Sequence, residues 1–302
     1  MDKIKENGKT LHIISGPTAC GKTSLAVELA KYLNTEIVSA DSRQIFRELN
    51  IGVARPDANE LNAVKHHLIA SWSVTDTYNV ALYEKQALEI IENLFLSHND
   101  VVLCGGSGMY IDAVINGIDD MPDCDVNIRR QLQKELNENG ISFLTEELKE
   151  KDIAYYNAVD LQNPRRIVRA LEVIRQTGKP FSSFRTDKKA NRSFNVNFVC
   201  LQRDREDLLN RINMRTDKMI QDGLVQEAAT LAEFKHLPAL HTVGYRELFD
   251  WQEGKHSLQQ AVELIKIHTR QYAKRQMTWL RKYPSVKWVN MTNGNIKPAD
   301  LI

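Results

Sequence analysis

The chain has 302 residues, 42% of them hydrophobic and 26% charged, a composition typical of a globular protein with a substantial core. Residues 1–10 lack the apolar core of a signal peptide, and no stretch is long and apolar enough to span a bilayer. We therefore expect a cytoplasmic protein that does not bind a membrane. The cysteines are widely separated, with no Cys-x-x-Cys pair, which disfavours a zinc site: Cys20, Cys104, Cys124 and Cys200.

Charge is unevenly distributed along the chain, although the net charge is only +1. Residues 119–160 carry eleven acidic and five basic side chains, whereas residues 161–192 carry nine basic and two acidic ones. Residues 264–287 carry seven basic side chains and no acidic one. Two basic stretches within a neutral chain indicate that a polyanion is contacted along a defined track.

A phosphate-binding loop of the form G-x-x-x-x-G-K-T is the first chemical motif. It follows an apolar run at 11–14 and precedes a helical pattern at 24–30, which is the strand–loop–helix context of such loops. The two glycines let successive N–H groups point inward, and the new helix adds partial positive charge. Lys22 is predicted to contact phosphate oxygens, and Thr23 to hold Mg²⁺. The loop consists of Gly16, Pro17, Thr18, Ala19, Cys20, Gly21, Lys22 and Thr23.

Strand and helix patterns then alternate. Residues 35–40 are predicted to form a strand that delivers Asp41 at its carboxyl end, residues 79–96 a helix, and residues 101–103 a buried strand followed by a glycine-rich turn at 105–108. A β-α-β-α-β alternation predicts an α/β fold with a parallel sheet of the P-loop NTPase type, flanked by helices. Ligands bind at the carboxyl ends of such strands, so Asp41 is expected near the phosphate loop.

The pattern becomes wholly helical from about 125 to 180. One helix is bounded by Asn163 as N-cap, Pro164 at the first helical position and Gly178 beyond its end. Strand character returns at 197–201. We therefore predict an α/β core formed by 1–122 and 198–302, with an all-helical insert at 123–197.

Two helices and an edge strand complete the predicted core. The helices are predicted at about 204–234 and 257–282, and the strand at 286–289. Lys266, Arg270 and Lys274 recur every four residues along one side of the second helix. Between the two helices, residues 243–246 are predicted to form a glycine-containing turn.

The residues alone leave the chemistry open. In a phosphate-loop ATPase, Asp41 would hold Mg²⁺ as a Walker B residue. The preceding strand is a weak Walker B run, however, and no water-positioning signature follows it. Nucleotide hydrolysis is therefore poorly supported by this sequence.

Six motifs, spread in order over nearly the whole chain, closely resemble the bacterial tRNA dimethylallyltransferases. The resemblance implies transfer of a dimethylallyl group from its diphosphate to N6 of the adenosine immediately 3′ of the anticodon in tRNA. The motifs are residues 16–23, Asp41-Ser42-Arg43-Gln44, Gly105-Gly106-Ser107-Gly108-Met109-Tyr110, residues 163–172, Gly244-Tyr245-Arg246 and residues 274–281.

The same resemblance implies residue roles. Asp41 accepts a proton from the adenine amine, Ser107 lies near the reacting groups, Lys22 and Arg246 stabilise the leaving diphosphate, and Thr23 holds the cofactor Mg²⁺. The insert contacts the anticodon arm, and the expected state is a monomer. The residues implied in tRNA binding are Asp41, Ser42, Arg43, Gln44, Ser107, Arg129, Arg165, Arg166, Ile167, Val168, Arg169, Arg270, Lys274, Arg275 and Arg281.

Three other functions remain open at this point. An adenylate isopentenyltransferase would use free AMP, ADP or ATP, but a mononucleotide does not need the insert and its arginines. A small-molecule kinase would hold ATP on the phosphate loop. A nucleotide-gated RNA-binding module would need only the basic stretches, and the presence of Asp41 and Arg246 counts against it.

Overall fold

The computed structural model describes residues 8–123, 125–186, 190–292, 294 and 296–302, so Cys124 lies outside the described residues. The chain divides into two compact units, one made of Met1–Ile115 with Asn191–Ile302 and the other of Asn116–Ala190. The sheet of the first unit takes up the chain again at Asn195. Residues 195–197, predicted to belong to the insert, are therefore part of a core strand.

The first unit is built on a six-stranded sheet in which every pairing of neighbouring strands is parallel. The spatial order is β3-β2-β4-β1-β5-β6. This confirms the predicted α/β class, and β1 lies near the middle of the sheet, between β4 and β5. The strands are β1 Thr10–Ser15, β2 Ile37–Ser39, β3 His66–His67, β4 Asp100–Cys104, β5 Asn195–Gln202 and β6 Lys287–Asn290.

Helices connect and cover these strands. Over the described residues they are α1 Lys22–Tyr32, α2 Ala58–Ala63, α3 Val80–Leu94, α4 Gly108–Asn116, α5 Val126–Lys151, α6 Ile153–Ala158, α7 Pro164–Thr177, α8 Arg205–Gln221, α9 Leu224–Thr230, α10 Tyr245–Gln252 and α11 Leu258–Leu280.

Both faces of the sheet are buried, as expected for parallel strands covered by helices. In β1, Leu11 and Ile13 point into the larger apolar cluster, which includes residues of α3 and α11. Ile14 points the other way, into a second cluster formed largely with α1. All three side chains are fully buried. This two-sided burial fixes the register of β1 and therefore the position of the loop that follows it.

The structure differs from the sequence-based prediction at three places. The helix expected at 204–234 is divided by Gly223, whose φ of 106° is left-handed, so α8 and α9 are separate helices. The turn expected at 243–246 is present but shorter: it covers Val243 and Gly244, and Gly244 is the N-cap of α10, which begins at Tyr245. The two-residue strand β3 was not predicted, because so short a segment has no periodicity to detect.

The second unit is helical throughout its regular structure. Its core is formed by apolar faces of α5 and α7, with Leu132, Leu144 and Leu171 fully buried. Asn163, Pro164 and Gly178 bound α7 as predicted: the Asn163 side chain accepts a hydrogen bond from the backbone, and Gly178 is left-handed.

Candidate active site

The phosphate loop connects β1 to α1 at the carboxyl edge of the sheet. Gly16 has φ of 149°, and a Cβ there would lie 2.5 Å from the carbonyl oxygen of Leu201 on the neighbouring strand, so only glycine fits. The Lys22 ammonium donates a hydrogen bond to the Pro17 carbonyl, at 2.8 Å, which folds the lysine over its own loop. The loop thus has the compact form that presents N–H groups and a lysine to a phosphate.

Three arginines that the sequence analysis did not single out contact this loop. Arg203 Nε donates to the Cys20 carbonyl at 2.9 Å, and Arg211 Nε donates to the Ala19 carbonyl at 2.8 Å. Arg215 donates to the Thr18 hydroxyl. Arg211 and Arg215 are four residues apart on α8 and therefore share a face. That spacing indicates a cationic face on α8, but it does not indicate which loop the face meets.

Arg215 is the arginine placed best for a substrate. Burial lowers the pKa of its guanidinium, and the nearby Cys20 and Asp41 oppose this shift. The group stays a cation, because an arginine side chain is not deprotonated in proteins. Arg215 also lines a cavity of about 470 Å³ together with Asn50, Met219 and others. Arg215 thus contacts the phosphate loop at Thr18 and also borders this cavity, which no residue of the loop lines.

Asp41 begins a tight turn immediately after β2. One carboxylate oxygen, Oδ1, accepts hydrogen bonds from the backbone N–H groups of Arg43, at 2.8 Å, and Gln44, at 3.3 Å. Within the described residues no donor is bonded to the second oxygen, Oδ2. The turn thus fixes the carboxylate through one of its two oxygens.

Ser107 joins the glycine-rich turn to the Asp41 segment. Its hydroxyl oxygen accepts a hydrogen bond from the Ser42 N–H at 2.8 Å and lies 3.1 Å from the Ser42 hydroxyl. Behind this junction the rings of Tyr83 and Tyr110 stack with centroids 3.8 Å apart. Burial raises the pKa of Tyr83, with smaller contributions from Tyr110, then Tyr78 and then Asp41. The predicted Asp41 and Ser107 are therefore brought together.

Two predicted residues have partners that the sequence did not indicate. The Gln44 amide donates to the carbonyls of Ala54, at 2.9 Å, and Val53, at 3.3 Å. The Arg246 guanidinium lies 3.0 Å from the buried Glu247 and 3.2 Å from His268. Among the described residues, the predicted diphosphate ligand Arg246 is thus held by a carboxylate, and Arg215 is the arginine bonded to the phosphate-loop residue Thr18.

The basic residues of α11 fall into two groups. Arg270 donates to Asn213 of α8 at 2.6 Å, and Lys266 pairs with Asp217 of α8 at 2.8 Å, so both fasten the two helices together. Lys274 and Arg275 of α11 are exposed, as is Arg281 directly after it. Only the second group presents its charge to solvent.

The second unit also separates its predicted RNA contacts. Arg165 and Arg166 are exposed at the start of α7. Arg129 and Arg169 both pair with Glu172, which is fully buried. The side chains of Ile167 and Val168, which the resemblance implies in tRNA binding, lie in the apolar core of the unit, so these side chains are not exposed to a ligand. Their periodicity on α7 was a packing signal.

A metal would have to depend on substrate oxygens at this site. Over the residues described, no group of three or more His, Cys, Asp or Glu side chains is arranged to hold an ion. Thr23, in the first turn of α1, is half-buried and offers a hydroxyl oxygen. A hydroxyl beside a phosphate loop fits Mg²⁺, which takes one or two protein oxygens and completes its shell with phosphates and water.

None of the helices that the structure describes is both long enough and apolar enough to cross a bilayer.

A glycine-lysine loop between β1 and α1 at the carboxyl edge of a parallel sheet, with three arginines bonded to it, is the architecture of a P-loop protein. The chain belongs to the IPP transferase family, whose sequence model matches residues 44–283. The family predicted from the six motifs is thereby confirmed.

Similar proteins cover nearly the whole chain. The tRNA dimethylallyltransferase of Christiangramia forsetii is 49% identical over 289 residues, 96% of either chain. The tRNA dimethylallyltransferase of Flavobacterium johnsoniae is 46% identical over 93% of either chain. Among solved structures, the full-length tRNA isopentenylpyrophosphate transferase from Bacillus halodurans matches with a TM-score of 0.70 and 34% identity, over 97% of this chain and 93% of that one. A eukaryotic dimethylallyltransferase acting on tRNA shares the fold, with a TM-score of 0.79 at 23% identity over 94% of this chain and 74% of that one.

Proposed function

We propose that this chain transfers a dimethylallyl group from dimethylallyl diphosphate to N6 of the adenosine immediately 3′ of the anticodon in tRNA and releases diphosphate. Family membership and the names of the similar proteins support the proposal. The observation that carries it is Arg215, which is bonded to the phosphate loop at Thr18 and whose guanidinium lies close enough to Asp41 for that carboxylate, after Cys20, to oppose the lowering of its pKa by burial. The Arg215 cation thus lies beside the proposed diphosphate site and within electrostatic reach of the proposed base, Asp41.

The reaction needs both the cations at the phosphate loop and the Asp41 carboxylate. The bond between the allylic carbon and the diphosphate oxygen breaks, and its electron pair goes to the diphosphate. The N6 lone pair forms the new C–N bond, and the N6 proton passes to the Asp41 carboxylate. Lys22, Arg215 and the N–H groups at the start of α1 stabilise the charge that builds on the diphosphate. A positioned general base contributes about 10²–10⁴-fold.

Mg²⁺ is the cofactor we propose, with Thr23 as its protein ligand. When bound, the ion neutralises part of the diphosphate charge, which makes the diphosphate a better leaving group. Lys22 and Arg215 act on the same charge from the protein side.

We propose that the exposed cations contact the tRNA anticodon arm. Lys274, Arg275 and Arg281 supply contacts from the first unit, and Arg165 and Arg166 from the second. Such contacts bind phosphates without reading sequence. The target adenine must leave its stack to reach a protein pocket, as base-modifying chemistry requires. One chain carries all of these groups, so we propose that it works as a monomer. We also propose that it works in the cytoplasm.

Nucleoside mass analysis tests the proposal. The protein is incubated with tRNA, Mg²⁺ and labelled dimethylallyl diphosphate, while parallel reactions replace tRNA with AMP or the diphosphate with ATP. We expect one adenosine per tRNA to gain a C5H8 unit. Asp41→Asn, which removes the charge and keeps the shape, is expected to lower kcat by about a hundredfold while tRNA affinity is retained. Prenylated AMP would favour an adenylate isopentenyltransferase, and phosphate transfer from ATP would favour a kinase.

A further inference from the structure

A buried glutamine of α11 connects two loops of the site. The Gln276 side chain is 7% exposed. Its oxygen, Oε1, accepts a hydrogen bond from the Thr18 N–H of the phosphate loop at 2.8 Å. Its nitrogen, Nε2, donates to the Gly106 carbonyl of the glycine-rich turn at 2.9 Å. A carboxamide has a donor and an acceptor on one planar group, so this one side chain satisfies both loops.

The contact leaves no free space at Gly106. A Cβ on Gly106 would lie 2.2 Å from Gln276 Nε2, well inside the contact distance of two atoms. Any larger residue at position 106 would displace the amide. Glycine at position 106 therefore leaves the room that the amide of a distant helix occupies.

The connection continues to the proposed base. Gly106 is followed by Ser107, whose hydroxyl oxygen accepts the Ser42 N–H at 2.8 Å. Ser42 follows Asp41 directly in the chain. Hydrogen bonds thus lead from Thr18 through Gln276 and the glycine-rich turn to the segment that carries the carboxylate. Within the described residues, the Gln276 amide is the side chain that links Thr18 to this turn.

We propose that Gln276 is a positioning residue that sets the separation between the diphosphate held by the phosphate loop and the Asp41 carboxylate. This inference rests on the proposed function. Gln276 bonds to backbone atoms of the two loops and acts on the reaction through them. Such a residue affects the rate through the alignment of the reacting groups, because a displacement of about 1 Å lowers the rate roughly 10²-fold.

Two substitutions of Gln276 remove different numbers of its hydrogen bonds. Gln276→Glu retains an acceptor for the Thr18 N–H but places a carboxylate oxygen against the Gly106 carbonyl. Gln276→Met keeps the length of the side chain and removes both bonds. Gln271→Glu makes the same charge change at an exposed glutamine of the same helix. Ile91→Val, in the buried core, supplies a loss of stability of about 1 kcal/mol away from the site.

The assay is steady-state prenylation of tRNA, well below the melting temperature of every variant, together with tRNA affinity and thermal unfolding. We expect kcat to fall about 100-fold in Gln276→Glu and Gln276→Met, with tRNA affinity unchanged within about twofold. Gln271→Glu and Ile91→Val are expected to retain wild-type kcat.

A purely structural role would give a different pattern. In that case both Gln276 variants would keep near wild-type kcat while folded, and would lose activity only on approaching their lowered melting temperatures, as is expected of Ile91→Val. That result would overturn the inference. If the wild-type protein itself prenylates no RNA, the proposed function fails, and this inference fails with it for a distinguishable reason.

Discussion

Glu227 of α9 gives the sharpest stability prediction, because a single carboxylate accepts three hydrogen bonds from another part of the fold. Its Oε2 accepts the Ile51 N–H at 2.8 Å. Its Oε1 accepts the Gly52 N–H at 3.0 Å and the Tyr245 hydroxyl at 2.5 Å. Substitution to alanine removes the acceptor for all three donors at once.

The expected loss follows from these contacts. A hydrogen bond to a charged group contributes about 1.5–3 kcal/mol, and bonds that share one acceptor are not additive. Water cannot simply replace the carboxylate at every donor, since Tyr245 is fully buried and a Cβ on Gly52 would lie 2.6 Å from its ring. We therefore expect Glu227→Ala to lower the free energy of unfolding of the first unit by about 3–5 kcal/mol. Tyr245→Phe, which removes one of the three bonds, should lower it by about 1–2 kcal/mol.

Urea unfolding followed by circular dichroism measures both losses. Glu233→Ala is the matched control, because Glu233 is an exposed glutamate shortly after α9. Its substitution should change the free energy of unfolding by less than about 0.5 kcal/mol. A loss below about 1 kcal/mol for Glu227→Ala would show that the three bonds are not important for the fold.

Three more predictions concern other parts of the molecule. Arg215→Ala should lower kcat/KM for dimethylallyl diphosphate by about 10²–10³-fold, since it removes a cation from the leaving group; steady-state kinetics showing wild-type values would remove Arg215 from that role. Replacing the exposed Arg165 and Arg166 by alanine should flatten the salt dependence of tRNA binding by about 0.7 log unit per lost phosphate contact, and an unchanged slope would show that neither contacts RNA. The hydrogen bond from Arg175 holds the pKa of the Glu135 carboxyl below its usual 4.5. The wild-type protein should therefore be more stable than Glu135→Gln above pH 4.5, and this difference should vanish as the pH falls through the lowered pKa. A stability difference that urea titrations find independent of pH would contradict the prediction.

Local patterns predicted the elements whose causes are local. The phosphate loop follows from glycines, a lysine and their flanking strand and helix, and α7 follows from its caps at Asn163 and Gly178. Gly223 was the missed local signal: a glycine inside the helix predicted at 204–234 marks the break between α8 and α9.

The contacts that complete the site could not be predicted in the same way. Arg215 reaches Thr18 from 197 positions away, and Gln276 reaches it from 258 positions away. Such pairs are set by the packing of α8 and α11 beside the sheet. Periodicity reports which face of a helix is apolar and does not report which loop that helix meets. Arg246 shows the converse, because its motif is present while the structure pairs the guanidinium with Glu247 and His268.

The most direct test of the central claim is to count products in one reaction. With tRNA, Mg²⁺ and dimethylallyl diphosphate, diphosphate released and prenylated adenosine formed are quantified together over the first turnovers. We predict that they appear in equal amounts, and that ATP supports neither. Diphosphate release without any mass gained by RNA, or orthophosphate released from ATP at a comparable rate, would contradict the account.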